Sequence, residues 1–219
     1  MDFPVFHFDW LNDRFLIASV VVLTIYGCSP KRQETTGGSD SANHHPTATA
    51  INYADSVNNG IISKDTLKGS PIRMAMDYIS DNHVHIVYGS PGVKGRIIWG
   101  GLVALDQVWV TGAHKATSIE FSKDVLVGEQ KISAGKYAFF TVPGKEEWVL
   151  ILNKNWDQHL ADSYSEKEDV VRLIVKPIWL DKVTQRLTYS ITKQDEQTGS
   201  IVVQWEKVQV ALPFKNANQ

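Results

Sequence analysis

The sequence predicts an all-β protein, an antiparallel β-sandwich of immunoglobulin-like or jelly-roll-like type, on three observations. Seven Trp, seven Tyr and eight Phe accompany many Val, Ile and Thr, the residue types that fit the pleated, half-buried surface of a sheet. From Pro71 onward, short runs of these residues recur at regular spacing between turn-forming residues, which is the rhythm of a sandwich or barrel. Helical periodicity is scarce. With 219 residues and 43% hydrophobic content, the chain can bury one core of ordinary size, so a single domain with extensions is expected.

The first segment, residues 1–27, reads as a leader. Its apolar run, residues 15–26, is 12 residues long, whereas a helix crossing a bilayer needs about 20; it fits the hydrophobic region of a secretory signal. Ile25-Tyr26-Gly27-Cys28 resembles the lipobox of bacterial lipoproteins, with an aliphatic residue three positions ahead of the cysteine and a small one directly before it. Tyr26 departs from that pattern, and Arg14 is the only base ahead of the run. The resemblance makes Cys28 the lipidation site, the membrane a partner through that anchor, and the bacterial cell envelope the location, with the domain facing the periplasm or exterior. Cys28 is the sole cysteine; once lipidated it leaves no thiol for a disulfide, a metal or a nucleophile.

Residues 28–64 read as a flexible tether. Stretches such as Thr35-Thr36-Gly37-Gly38-Ser39 cannot bury enough apolar surface to offset the entropy of ordering. The His44-His45 pair in this arm reads as solvated. The β-domain is expected over residues 65–216.

Strands are expected near residues 72–79, 83–88, 95–99, 107–110, 117–122, 124–127, 135–142, 147–153, 170–176, 186–192 and 201–210. Leu187, Tyr189 and Ile191 alternate with Thr188 and Ser190, which turns the first set inward and the hydroxyls outward. In the last strand Ile201, Val203 and Trp205 share one parity, but Val208, Val210 and Leu212 take the other. A one-residue β-bulge at Glu206-Lys207 restores a common inward face. Between residues 156 and 168 strand signals lapse, and a short helix or an ordered loop is expected.

Several segments together resemble a bacterial envelope family grouped as domain of unknown function 2911. They are Tyr88-Gly89-Ser90-Pro91-Gly92-Val93-Lys94-Gly95-Arg96, Gly100-Gly101-Leu102-Val103, Val108-Trp109-Val110-Thr111-Gly112-Ala113, and the run from Ala134 to Gly144. Glu147-Trp148, Asn153-Lys154 and Trp205-Glu206-Lys207 complete the set. The resemblance spans about residues 70–214 and implies no catalytic residues. One departure stands out: the Thr-Gly-Ala loop continues here with His114-Lys115, where the family form continues with Asn-Glu.

Chemistry-bearing residues are few. His83-Val84-His85 on a strand sends both imidazoles to one face, with Cα atoms about 6.5 to 7 Å apart, a separation from which two rings can reach one metal ion. Val84, Ile86 and Tyr88 then face the core. His114 and His159 are the candidate third and fourth ligands, zinc or copper the candidate metal, and three His with an open position is a catalytic zinc arrangement. Asp157 could orient a ring from behind. The competing reading is four separate, solvated or structural histidines.

Lys94 and Arg96 are candidate anion contacts in a glycine-bearing connection that lacks the phosphate-loop pattern. Ser133-Ala134-Gly135-Lys136 matches a penicillin-binding string, but Ala-Gly marks a hairpin turn rather than a helix start. Trp156 and Trp179, at element edges, are the tryptophans expected to be exposed; Trp99, Trp109, Trp148 and Trp205 are expected mainly in the core.

The formal charge is −2 with no basic block, which argues against nucleic acid as a partner. The expectation is a lipid-anchored envelope protein whose sandwich binds a metal ion or a small-molecule or glycan ligand, without enzymatic activity. The alternatives are a zinc-dependent hydrolase using the same histidines, and a structural or glycan- or protein-interaction module without metal.

Overall fold

Strand alternation sets the architecture of the computed structural model, which describes residues 53–217 and the backbone of Phe6–His7. The rest of the expected leader, Cys28, His44, His45 and the first part of the expected tether lie outside the described residues. The elements are β1 (Phe6–His7), α1 (Tyr53–Asn58), β2 (Ile72–Ile79), β3 (Asn82–Gly89), β4 (Thr117–Phe121), β5 (Val125–Val127), β6 (Gln130–Ile132), β7 (Gly135–Pro143), β8 (Trp148–Asn153), β9 (Asp169–Val175), β10 (Ile178–Lys193) and β11 (Thr198–Asn216).

Two sheets form, ordered β1-β9-β8-β7-β4-β3-β2 and β10-β11-β5-β6. All strand pairings are antiparallel except β1 with β9. Val84, Ile86, Ile119, Phe139, Leu150 and Leu173 of the large sheet meet Leu187, Val203, Trp205, Val210 and Phe214 of the small one in a single buried cluster. The result is the antiparallel sandwich that the composition predicts. Burying a large aliphatic or aromatic side chain contributes roughly 1.5 to 3 kcal/mol, so this interior is the main source of stability.

Predicted parities hold where apolar residues alternate. In β3, Val84, Ile86 and Tyr88 are buried while His83, His85 and Val87 are half-buried on the opposite face. In β10, Leu187 and Tyr189 are buried. Across the break in β11, Val203, Trp205, Val208 and Val210 are all buried. Glu206 there adopts a φ of 55°, and the β10–β11 register shifts around its partner Thr184. The anticipated bulge is what keeps both halves of β11 facing the core.

Three local expectations need correction. Residues 95–99 and 107–110 are not strands: only isolated bridges occur, Trp99 with Val103 and Trp109 with Thr141. Gly95 and Gly100 at positive φ fold the first segment back on itself, and the second meets β7 at the Trp109 bridge alone. The folded unit also begins earlier than residue 65. Residues 53–58 form α1, which is too short to persist by itself. It is held by the Asn58 side chain, which accepts from the backbone N–H of Arg186 at 2.8 Å and donates to its carbonyl at 2.9 Å. Arg73 adds an ion pair to Asp55 at 2.6 Å. Residues 156–165 form an ordered loop that leads into a 3₁₀ turn at Glu166–Glu168.

The large sheet has two faces, and its outer one is covered only in part. Val110, Ala116, Ala138, Phe140 and Ile151 form a second, smaller buried cluster, roofed by segments 108–116 and 161–164. Beside it, over β2 and β3, no described residue covers the outer face, and Ile72, Met74, Met76 and Tyr78 are exposed.

Candidate functional site

The boundary between the roofed and open parts of that face is a cleft of about 550 Å³, within the usual range for small-ligand sites. Ile72, Val87, Ala113, His114, Lys136 and Trp156 are among the residues lining it. Three parts of the chain far apart in sequence build it: the paired ends of β2 and β3, the loop at residues 113–116 leading into β4, and the start of β7. A fourth, the loop after β8, supplies Trp156 and Asp157.

Two glycines allow the first two segments to touch. A Cβ on Gly89 would lie 2.4 Å from the carbonyl oxygen of Ala113, and one on Gly112 would lie 2.7 Å from Oγ1 of Thr117. Neither position has room for a side chain. Thr111 and His114 hold positive φ values of 50° and 68°, costly for residues with a Cβ. The first is fixed by hydrogen bonds: the Thr111 carbonyl accepts from Tyr189 Oη at 2.7 Å and from Thr117 Oγ1 at 3.1 Å, while Thr111 Oγ1 donates to Thr141 Oγ1 at 3.0 Å. Burial raises the Tyr189 phenol well above its ordinary pKa, so it stays a donor at neutral pH. At His114 the carbonyl accepts from the backbone N–H of Leu160 at 2.6 Å.

The loop bearing Trp156 is anchored from beneath. Buried Asn153 donates to Asp169 Oδ1 at 2.7 Å and to the Ser165 carbonyl at 2.9 Å, and its own oxygen accepts from the Asn155 N–H at 2.9 Å. Asp169 also accepts from Tyr164 and Arg172, both at 2.8 Å. Burial, reinforced by the Asp169 carboxylate, raises the Tyr164 phenol. On this footing Trp156 stands 40% exposed, with the Lys136 ammonium 4.0 Å from its ring centroid. A part-exposed indole with a cation over its ring can stack a flat ring and meet an acidic or hydroxyl substituent. Lys115 and Asp157 close the rim with an ion pair at 3.0 Å.

The sequence-predicted ligands fall into two pairs. His83 and His85 share a face, with ring centroids 6.0 Å apart and planes 16° from parallel. His114 and His159 are neighbours through their backbones, since Lys115 bridges to His159, but the His159 ring turns to Asp162 at 3.2 Å. Among the described residues no group of three or more His, Cys, Asp or Glu side chains is placed to hold a metal. Lys94 donates to the Leu67 carbonyl, and Arg96 to those of Gly92 and Val93; both are engaged with backbone. Trp179 is exposed like Trp156, while Trp99, Trp109, Trp148 and Trp205 interlock with centroids 4.8 to 5.8 Å apart.

The sequence pointed to Trp156 as an exposed indole but did not connect it to Lys136 or to the Gly89 and Gly112 contact. The available signal was that the glycine-bearing segments at residues 88–92 and 111–113 both carry the family resemblance. Among the described residues, no helix is long and apolar enough to cross a membrane.

No curated protein and no solved structure matches the chain. The sequence profile described as "Protein of unknown function (DUF2911)" matches residues 70–214, which takes in β2 through most of β11 and every residue of the cleft wall, and the chain therefore belongs to the DUF2911 family.

Proposed function

We propose that this is a lipid-anchored protein of the bacterial cell envelope whose sandwich binds a small ring-bearing molecule of sugar-like size, carrying an acidic or hydroxyl group, in the Trp156 cleft. The observation that carries the reading is convergence: segments around residues 88–89, 113–118 and 136, distant in sequence, line one cleft together with an exposed tryptophan. Cavities with a mostly apolar wall and a few placed polar groups are the usual form of small-ligand sites. Lys136 and His114 are the polar groups offered to the ligand; Trp156 is its platform.

The test is a titration of the isotopically labelled protein with a panel of neutral sugars and sugar acids, followed by NMR. Binding should shift resonances of residues 72, 87–89, 113–118, 136 and 156–157 and should vanish in Trp156→Ala while the remaining spectrum is unchanged. Panel members that leave those resonances in place, or that bind Trp156→Ala equally well, would remove the proposal. The anchor is tested separately. A labelled fatty acid should enter the wild-type chain but not Cys28→Ser, and only the wild type should remain with the membrane fraction.

A further inference from the structure

A second site lies on the open part of the same sheet face, away from the cleft. In the β2–β3 register Met76 is directly opposite His85, Tyr78 opposite His83 and Met74 opposite Val87. Directly opposed residues of an antiparallel pair project to the same side, so two thioethers and two imidazoles stand together on the outer surface. Met74 and Met76 are 61% and 57% exposed; neither sulfur side chain is spent on the core. Met76 has His85 across from it and His83 on the diagonal, about 7 to 8 Å away at the backbone, within reach of a flexible methionine.

The imidazoles add the second observation. Nε2 of His85 is shut off from water and has no hydrogen-bond partner, a costly condition for a ring nitrogen. His83 is kept beside it, its ring centroid 4.7 Å from that of Tyr78 and 6.0 Å from that of His85. On the far side of His85, Glu120 is its β4 partner, and Lys136 is the β7 partner of Glu120. A carboxylate next to the imidazole pair offsets the charge of a bound cation, and Lys136 is drawn toward Trp156.

We infer that Met76, His83 and His85 form a surface site for a soft monovalent metal, copper(I), with Met74 as an auxiliary ligand. Thioether and imidazole together select copper(I) over zinc, because thioether sulfur is a soft donor that harder divalent ions bind poorly. The site differs from a four-histidine zinc centre in ligands and in place: it needs neither His114 nor His159, and it does not share the cleft.

The experiment uses the full-length chain carrying Cys28→Ser, His44→Ala and His45→Ala, which removes the sole cysteine and the adjacent His44-His45 pair. Copper(I) is titrated without oxygen in competition with a chromophoric copper(I) chelator, and silver(I), which does not change oxidation state, is followed by NMR. The expected result is one copper(I) per chain and a silver-induced shift of the Met76 methyl resonance. Met76→Leu and His85→Gln should each weaken retention by about tenfold or more, and Trp156→Ala should leave it unchanged, separating this site from the cleft. Failure to retain copper(I) against the chelator, retention by Met76→Leu equal to that of the parent, or tighter binding of zinc that ignores Met76→Leu would each overturn the inference.

Discussion

Nε of Arg186 lies 2.9 Å from Oδ2 of Asp65, with the two side chains 0% and 4% exposed. Nη2 donates to Asp65 Oδ1 at 3.0 Å and to the Leu67 carbonyl at 2.6 Å, and Nη1 donates to the Ser90 carbonyl at 2.9 Å. One guanidinium thereby joins the segment ahead of β2, the turn after β3 and β10. Taking one partner from a buried pair leaves the other charge uncompensated, which costs roughly 3 to 5 kcal/mol. Asp65→Ala should lower the stability measured by urea unfolding by that amount. Lys115→Ala, at an exposed ion pair, should change it by less than about 1 kcal/mol.

Gly89→Ala tests the seam of the cleft. Its new methyl would meet the Ala113 carbonyl oxygen at 2.4 Å, and the atoms it meets are all backbone, so relief requires the 111–116 loop to move. Overpacking of this kind typically costs about 1 to 3 kcal/mol. Thermal unfolding should report the loss, and NMR shifts should concentrate at residues 111–118, with ligand binding in the cleft lost as well.

Trp156 and Trp205 should separate function from stability. Trp156 is 40% exposed and Trp205 1%. Trp156→Ala should shift the unfolding free energy by less than about 0.5 kcal/mol, as surface substitutions usually do, while abolishing binding in the cleft. Trp205→Ala removes the stacked partner of Trp109, 5.7 Å away, and should cost about 3 to 5 kcal/mol, measured by denaturant unfolding of both variants.

Alkaline titration should reveal two raised phenols, buried Tyr189 and half-buried Tyr164. Burial raises Tyr189, and burial with the Asp169 carboxylate raises Tyr164, both from an ordinary value of 10.0. A group whose folded pKa exceeds its unfolded one stabilises fully below the unfolded value and loses that contribution as pH rises through the folded value. Stability should therefore begin to fall above about pH 10. Tyrosinate absorbance of the folded chain should lag that of the chain in urea, and the late phase should shrink in Tyr189→Phe and Tyr164→Phe.

The parts of the fold legible in the sequence are those set by neighbours along the chain. Val84, Ile86 and Tyr88 specify the inward face of β3 and so place His83 and His85 together outside. The parity break in β11 announces the bulge at Glu206. The same local logic misleads where apolar residues lack a partner strand, as at 95–99 and 107–110. On β2 it is silent about environment: Ile72, Met74, Met76 and Tyr78 alternate like a buried face, yet are exposed because none of the described residues covers that side of the sheet.

By itself, then, the sequence determined a β-sandwich, the side of each strand that meets the core, and membership of a family recognisable from its glycine-bearing turns. Tertiary structure alone decided that Asp65 would meet Arg186 across 121 positions, that residues 53–58 would coil against β10, and that Lys136 would lie under Trp156. The physical reason is range. Alternation and turn chemistry act between residues a few positions apart, whereas a buried ion pair or a cleft exists only after distant strands have packed, and no local pattern encodes which of several charges or indoles will meet.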